Sequence, residues 1–283
     1  MLWTGNLIKK CSILLRELQT TEKCVVELVE HSETHKKYVK KRIIGRHQDL
    51  AFQKELAVAR IIGYHPNIIE LYDCAILRDE RDRPFEYQLL YEYCEGGDLY
   101  ELTAHNRKGR IRRSKVWNIM LGIVNGVKAM HDNFIVHRDL KLENVVLTGD
   151  GVPKICDFSF GEWDSYNTEL SDKLADVKEN PNLRKIDDYL IGTCGYLSPD
   201  LILTKIATPR TDIFSLGVLF YELFTCYTAF DTGCQVDYVV NPDDLGYPRR
   251  CTKNIVSLMK RMMSKHSHQR PKLSELIDFF SEN

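Results

Sequence analysis

The hydrophobic periodicity of this sequence changes after residue 93, which limits the folds that the chain can adopt. Before it, apolar residues form short runs, SILLREL, CVVELVEH and KKYVKKRI, separated by the polar breaks TTEK and SETHK. Runs of this kind predict an antiparallel meander of strands. Helix-forming residues occupy positions 50–62 before Gly63, and two more apolar runs lie around residues 68–77 and 87–93. The first part of the chain is therefore predicted to be a small α+β unit.

Helical periodicity dominates after residues 95–99, EGGDL, which we interpret as a flexible connection. The run at 213–224 is too short for a membrane span and contains Glu222, so it predicts a buried core helix. Residues 162–189 are polar and aperiodic, which is typical of a long exposed loop. The second part is predicted to be α-rich. One helix face is predicted from apolar residues at the spacing i, i+3, i+4, i+7: Val116, Ile119, Met120, Ile123, Val127 and Met130.

Composition excludes several classes of protein. The 283 residues include 39 basic and 40 acidic side chains, so nothing global indicates binding to nucleic acid or to an anionic membrane. Nine cysteines without a CxxC pair lack the signature of zinc ribbons and of disulfide frameworks. The first 18 residues have no apolar core of a signal peptide. We therefore expect an intracellular protein, cytoplasmic or nuclear, with reduced thiols.

The most specific motif is HRDLKLEN, residues 137–144, followed at 154–161 by KICDFSFG. The motif resembles the catalytic loop of the eukaryotic protein kinase family, with matches at Asp139, Lys141 and Asn144. The resemblance implies that Asp139 accepts or orients the substrate hydroxyl proton, that Lys141 steadies the transferring phosphoryl group, and that Asn144 holds a magnesium ion. Positioning and positive charge of this kind suit a loose phosphoryl transition state. An Asx-capped turn before a strand is the alternative interpretation of the motif.

Asp157, Phe158 and Ser159 lie where the family has Asp-Phe-Gly. By this resemblance Asp157 binds the magnesium ion that bridges the ATP phosphates. Serine in place of glycine removes the free choice of a positive φ, so we expect this triplet to flip less readily between arrangements.

Upstream, KYVKKRI is similar to the family strand that carries the phosphate-binding lysine. Lys40 and Lys41 are adjacent, so strand alternation points them to opposite faces and only one can enter the cleft; our choice is Lys41. The alternative interpretation of this lysine-rich run is a solvated strand edge. The resemblance implies that Lys41 binds the α- and β-phosphates, that Val39 covers the adenine, and that Glu55 pairs with the lysine.

The segment LLYEYCEGGDL resembles the family hinge. By this resemblance Tyr91 is the gatekeeper, Glu92 and Cys94 offer backbone groups to the adenine, and Asp98 reaches the ribose. A strand that ends in a Gly-Gly turn would have the same sequence pattern.

The phosphate loop is the largest departure from the family. When Val26 is aligned with the family valine of the second strand, Gln19, Thr21 and Cys24 occupy the positions of three glycines. Side chains there crowd the approach of backbone N–H groups to the phosphates, so we expect weaker or unusually shaped nucleotide binding.

The segment GTCGYLSPD, residues 192–200, resembles the end of the family's activation segment. Thr193 together with Lys141 is typical of the serine/threonine class, and Arg270 matches an arginine that pairs with the acid at Asp200. Arg138 matches the arginine that can clamp a phosphorylated activation loop. The loop contains four acceptor hydroxyls, Ser165, Tyr166, Thr168 and Ser171, which are consistent with activation by phosphorylation. A solvated loop rich in serine and threonine is the alternative interpretation of this segment.

The resemblance implies a single two-lobed kinase domain over residues 1–283. We expect a small antiparallel β-sheet lobe with the family's αC helix at about 11–93, a hinge at 94–98, and a larger mainly helical lobe at 99–283 whose activation segment runs from 157 to 200. The function implied is transfer of the γ-phosphoryl group of Mg-ATP to serine or threonine hydroxyls of a protein substrate. A pseudokinase that acts as a binding scaffold is the alternative, favoured by the missing glycines and by Ser159. A small-molecule kinase is a third, less suited to the segment around Thr193. Neither nucleic acid nor membrane is expected as a partner, and the oligomeric state is open.

Overall fold

The computed structural model describes residues 4–45, 49–106, 111–163, 192–230 and 241–282. Its first part is an antiparallel sheet in the order β1-β2-β3-β5-β4. Lys41 in the middle of β3 lies opposite Val26 of β2 and Leu89 of β5. The predicted meander is confirmed. The strands are β1 (Ile13–Thr20), β2 (Cys24–Glu30), β3 (Lys37–Ile44), β4 (Leu71–Arg78) and β5 (Pro84–Glu92).

The two faces of the sheet are covered by different helices. Helix α2 (Asp49–Ile62) packs on one face, where the rings of Phe52 and Tyr87 lie 5.0 Å apart. A short helix, α1 (Asn6–Lys10), lies against a smaller apolar cluster that includes Leu90, on the opposite face because strand side chains alternate. The carboxylate of Asp73 accepts hydrogen bonds from two amides of the α1 segment. The sequence analysis did not predict α1.

The second part is mainly helical, as predicted. Every residue of the predicted α4 face is buried, and Trp117 of the same helix packs against Phe220, Phe224 and Phe280. Helix α6 is buried from Thr211 to Thr225, which confirms the predicted core helix. The helices are α3 (Leu99–His105), α4 (Arg113–Asp132), α5 (Pro199–Thr204), α6 (Pro209–Thr225), α7 (Lys253–Met262) and α8 (Leu273–Glu282).

Short strands and turns between α4 and α5 carry the site motifs. Two two-stranded sheets pair β6 with β9 and β7 with β8. Of the predicted exposed loop, residues 162–163 form β9 and the rest lies outside the described residues. The short elements are β6 (Ile135–Val136), a 3-10 turn (Leu142–Asn144), β7 (Val145–Leu147), β8 (Pro153–Ile155) and β9 (Glu162–Trp163).

The connection that was predicted to be flexible is hydrogen-bonded to β7. The amide of Gly96 donates to Leu147 O, and the amide of Leu147 donates to Gly97 O, each at 2.8 Å. A Cβ at Gly96 would lie 2.8 Å from Leu147 O, so only glycine permits this approach. The connection therefore pairs with β7 like a short extra strand and joins the two parts of the chain.

Two further observations concern the chain as a whole. Among the described residues, no helix combines the length and apolar character needed to cross a bilayer. Eight of the nine cysteines are described, and none of these eight forms a disulfide bond.

Candidate active site

A cavity of about 650 Å³ lies between the sheet and the helical part. Its walls come from the β1–β2 hairpin, β3, α2, the segment after β5, and the residues that flank β7 and β8. Ten of the residues to which the family resemblance assigns a nucleotide or metal role line it: Val26, Val39, Lys41, Glu55, Tyr91, Glu92, Cys94, Asp98, Asn144 and Asp157.

Lys41 forms ion pairs with two carboxylates in this cavity. Its Nζ binds Glu55 of α2 and lies 2.8 Å from Asp157 Oδ1. The Lys41 side chain is 14% exposed and that of Glu55 is fully buried. The pair therefore joins α2 to β3 and to the segment after β8.

The charges of this cluster stabilise one another. Burial lowers the pKa of Lys41, but Glu55 and Asp157 outweigh burial and raise it above its ordinary value. Burial raises the pKa of Asp157, yet the neighbouring ammonium of Lys41 brings it well below the usual range. Complete burial raises the pKa of Glu55 despite the same ammonium. The cluster holds Asp157 ionised.

Lys40 belongs to the other face of the sheet. Its Nζ lies 3.2 Å from Glu27, which also pairs with Arg42, and Arg42 in turn makes two hydrogen bonds to Glu86. Strand alternation thus separates Lys40 from the cavity, and Lys41 alone of the two lines it.

Asp139 lies in a second cluster beside Asn144. Its Oδ1 accepts a hydrogen bond of 2.6 Å from Thr193, and its Oδ2 accepts one of 3.0 Å from the Asn144 amide. Lys141 lies 3.1 Å from the same carboxylate and donates to the Thr193 hydroxyl at 2.8 Å. Thr193, 54 positions away in the sequence, therefore helps to orient the carboxylate of Asp139. Asp139 is buried, with 2% of its surface exposed.

Asp212 at the start of α6 holds the backbone of the catalytic-loop motif. Its two oxygens accept hydrogen bonds from the amides of His137 and Arg138, each at 3.0 Å, and from the His131 ring at 2.8 Å. Arg138 has a φ of 73°, a left-handed conformation that is costly for a non-glycine residue. Burial raises the pKa of Asp212, but the hydrogen bonds, that of His131 first, outweigh it and lower the pKa. The carboxylate thus stabilises the strained turn.

The oxygen donors beside Lys41 fit a hard cation. Asp157 is ionised, and its Oδ2 accepts no hydrogen bond from the described residues. The Asn144 amide uses its nitrogen as a donor to Asp139, which leaves its oxygen available. The backbone amide of Cys156 donates to the backbone carbonyl of Asn144 at 3.0 Å. This bond places Asn144 next to the residue that precedes Asp157. Carboxylate and amide oxygens are ligands that Mg²⁺ accepts.

The predicted hinge residues lie along one wall of the cavity. The backbone amide of Glu92 donates to Glu70 O, and its side chain binds Lys154 at 2.8 Å. The amide and carbonyl of Cys94 make no hydrogen bond with the described residues, which leaves both for a ligand. Asp98 caps α3 through a 2.7 Å hydrogen bond from the Glu101 amide.

The glycine-free hairpin is closed by its own side chain. The Thr21 hydroxyl donates to Cys24 O at 3.1 Å and accepts from the Cys24 amide at 3.0 Å. Gln19 and Cys24 line the cavity, whereas Thr21 does not. Of the three positions where the family has glycine, two therefore crowd the cavity and one stabilises the turn.

The two predicted arginines have acidic partners. Arg270 is fully buried and binds Asp200. Arg138 lies 2.9 Å from Glu162 of β9. The four predicted acceptor hydroxyls of the activation loop, Ser165, Tyr166, Thr168 and Ser171, lie outside the described residues.

Four functional contacts were missed by sequence reasoning. The Tyr91 hydroxyl donates to Glu55, and the Ser159 hydroxyl donates to Asp157 at 2.7 Å. The Arg138–Glu162 pair and the cap by Asp212 also went unpredicted. Asp212 alone left a signal, since it is an acid at the start of the apolar helical run at 213–224.

Comparison with known proteins assigns the chain to a family. Residues 19–279 match the family model described as the protein kinase domain. The chain belongs to the protein kinase family, and the predicted two-lobed fold class is thereby confirmed.

Three of its relatives carry the names of serine/threonine kinases. The chain is 27% identical over 89% of its length to a probable serine/threonine-protein kinase of Dictyostelium discoideum, and 25% identical over 89% to the serine/threonine-protein kinase Nek1 of Mus musculus. It is 29% identical over 91% to the serine/threonine-protein kinase ppk16 of Schizosaccharomyces pombe. The chain spans 23%, 20% and 35% of these relatives' own lengths. Its resemblance to them is a resemblance of kinase domains.

Proposed function

We propose that this chain transfers the γ-phosphoryl group of Mg-ATP to serine or threonine hydroxyls of a protein substrate. The observation that carries the proposal is the environment of Asp139. A nearly buried carboxylate is held by Thr193 on one oxygen and by Asn144 and Lys141 on the other. A carboxylate held in this way has a fixed direction in which to accept a proton.

In the proposed reaction the substrate hydroxyl forms a bond to the γ-phosphorus while the bond to the ADP oxygen breaks. Asp139 accepts or orients the hydroxyl proton, and Thr193 fixes its carboxylate. Lys141 places positive charge beside the transferring group. Asn144 and Asp157 would hold Mg²⁺, which when bound neutralises charge on the phosphate oxygens.

The nucleotide would lie in the 650 Å³ cavity. Lys41, held by Glu55, would bind the α- and β-phosphates. The free amide and carbonyl of Cys94 support its role, with the Glu92 carbonyl, at the adenine edge. Asp98 would reach the ribose. The apolar walls about the base are Val26, Val39 and the ring of Tyr91.

The same geometry supports a division into a small lobe, a hinge at 94–98 and a large lobe. The pairing of Gly96 and Gly97 with β7 at this point supports a fixed hinge between the lobes.

The test is phosphoryl transfer from labelled ATP to a generic basic protein, comparing the wild type with Asp139→Asn. We expect the variant to lose at least about 100-fold in kcat, the scale of a lost base. Asp150→Asn is the matched control, since it makes the same chemical change at an exposed turn. Phosphoamino-acid analysis should find phosphoserine or phosphothreonine. Equal rates for Asp139→Asn and the wild type would remove Asp139 from the mechanism, and predominant phosphotyrosine would overturn the class of acceptor.

A catalytically silent scaffold is the second candidate. The observation that favours it is the crowding of the cavity by Gln19 and Cys24 where the family has glycine. Calorimetry with Mg-ATP, combined with the transfer assay, separates the two candidates. Binding without transfer from the wild type would support the scaffold, whereas transfer that depends on Asp139 supports the enzyme.

A further inference from the structure

Lys41 is the centre of a chain of five hydrogen-bonded side chains that crosses the cavity. The order is Tyr91, Glu55, Lys41, Asp157 and Ser159, which runs from β5 through α2 and β3 to the segment after β8. Each end of the chain is a hydroxyl group. Each hydroxyl donates to a carboxylate that also binds Lys41.

At one end, Tyr91 completes the hydrogen bonding of Glu55. The Glu55 side chain has no exposed surface, so each of its oxygens needs a donor within the protein. Oε1 accepts from Lys41 and Oε2 accepts from the Tyr91 hydroxyl. No other described residue donates to this carboxylate. Tyr91 is itself buried in the sheet at β5, so it is a rigid anchor for the middle of α2, where Glu55 lies.

At the other end, Ser159 holds Asp157. Oδ1 of Asp157 accepts a hydrogen bond of 2.8 Å from Lys41 Nζ and one of 2.7 Å from Ser159 Oγ. Both donors bind the same oxygen, and Oδ2 is left without a donor among the described residues. The Asp157 backbone is left-handed, with a φ of 63°. A hydroxyl two residues on therefore fixes a carboxylate whose backbone is strained.

We propose that Tyr91 and Ser159 are positioning residues for phosphoryl transfer, acting through Glu55 and Asp157. The inference rests on the proposed function, because it assigns both hydroxyls to that reaction. Tyr91 keeps Glu55, and with it Lys41, at the nucleotide phosphates. Ser159 keeps Oδ2 of Asp157 available to the metal. Small displacements of such groups lower the rate more than they lower binding.

The Tyr91 arm is tested with Tyr91→Phe. We expect kcat to fall about tenfold while KM for ATP changes less than about threefold, the pattern of an interaction needed in the transition state. Tyr221→Phe is the matched control, because it removes another buried hydroxyl, one that donates to Gly246 O at 2.8 Å outside the cavity. Since Tyr91 acts through Glu55, Tyr91→Phe should change kcat less than about twofold in a Glu55→Gln background.

The Ser159 arm is tested by the magnesium dependence of the rate. We expect Ser159→Ala to raise the Mg²⁺ concentration for half-maximal activity about tenfold, the lower end of the scale for loss of one supporting contact to a metal ligand. Ser159→Thr, which keeps the hydroxyl, should restore the wild-type dependence. Ser264→Ala is the control, since its hydroxyl binds Gln269 at an exposed site.

The outcomes separate this proposal from the proposed function. The proposal is overturned if Tyr91→Phe has the wild-type kcat and Ser159→Ala has the wild-type Mg²⁺ dependence. It is also overturned if Tyr91→Phe loses no more activity than Tyr221→Phe. Absence of transfer by the wild type sinks the proposed function instead. Calorimetry with Mg-ATP then decides: weaker Mg-dependent binding by Ser159→Ala supports the positioning of Asp157, and unchanged binding overturns it.

Discussion

The guanidinium of Arg138 lies 2.9 Å from the carboxylate of Glu162. Glu162 lies in β9, and Arg138 follows the end of β6, the strand that pairs with β9, by two residues. The Arg138 side chain is only 6% exposed, whereas that of Glu162 is 34% exposed. The arginine that could bind a phosphorylated loop is thus already paired with an acid of the chain itself. Its Nε is buried without a partner among the described residues.

We expect activity to persist after treatment with a protein phosphatase, because Glu162 already neutralises Arg138. Glu162→Gln should lower kcat about three- to tenfold, as a buried guanidinium loses its charged partner. Glu33→Gln, on an exposed side chain, is the control and should be silent. A loss of more than about tenfold on dephosphorylation of the wild type would contradict this expectation.

Asp212→Asn should destabilise the fold by about 3 to 5 kcal/mol, because the variant keeps one acceptor oxygen for three buried donors. Chemical denaturation measures the loss. Asp132→Asn, in the exposed pair of Asp132 with Lys128, should cost less than about 1 kcal/mol.

The effect of Asp212 also depends on pH. Its pKa lies below the ordinary 3.8 in the folded protein, because the hydrogen bonds outweigh burial. The stabilisation is therefore complete above about pH 4 and is lost as pH falls through the folded pKa. The difference between wild type and Asp212→Asn should shrink in that acidic range. A constant difference from pH 7 to pH 3 would be inconsistent with an ionised Asp212.

Arg270→Ala should cost about 3 to 5 kcal/mol, because it leaves the Asp200 charge and two backbone carbonyls without their donor. Arg261→Ala is the comparison, since Arg261 pairs with Glu275 where both side chains are 46% exposed. That variant should cost less than about 1 kcal/mol and should respond to salt. Equal losses of unfolding free energy in the two variants would show that burial does not make the Arg270 pair more stabilising than the exposed one.

Replacing Gln19 and Cys24 by glycine should tighten binding of Mg-ATP by about 1 to 2 kcal/mol, as backbone amides gain access to the phosphates. Adding Thr21→Gly should reverse part of the gain, because the Thr21 hydroxyl closes the hairpin. Calorimetry at fixed salt measures both. Unchanged affinity in the double variant would show that the two side chains do not obstruct the nucleotide.

Short-range patterns were readable from the sequence. The strand runs, the α4 stripe and the core helix α6 depend on periodicities of two and 3.6 residues, and the structure has them where they were predicted. The family was predicted from HRDLKLEN and KICDFSFG, because each packs several chemically distinctive residues into a few consecutive positions. The roles of the individual site residues stay predictions.

Contacts between distant segments were decided only by the tertiary structure. The sequence alone singled out Lys41, Glu55, Asp139 and Asp157 as candidates, and alternation in β3 favoured Lys41 over Lys40. It could not assign the hydroxyl of Tyr91 to Glu55, 36 residues away, because that contact needs α2 packed on the sheet. Nor could it place the carboxylate of Asp212 on the backbone of Arg138, 74 residues earlier. Partners of this kind depend on how whole elements pack, and no local pattern records that.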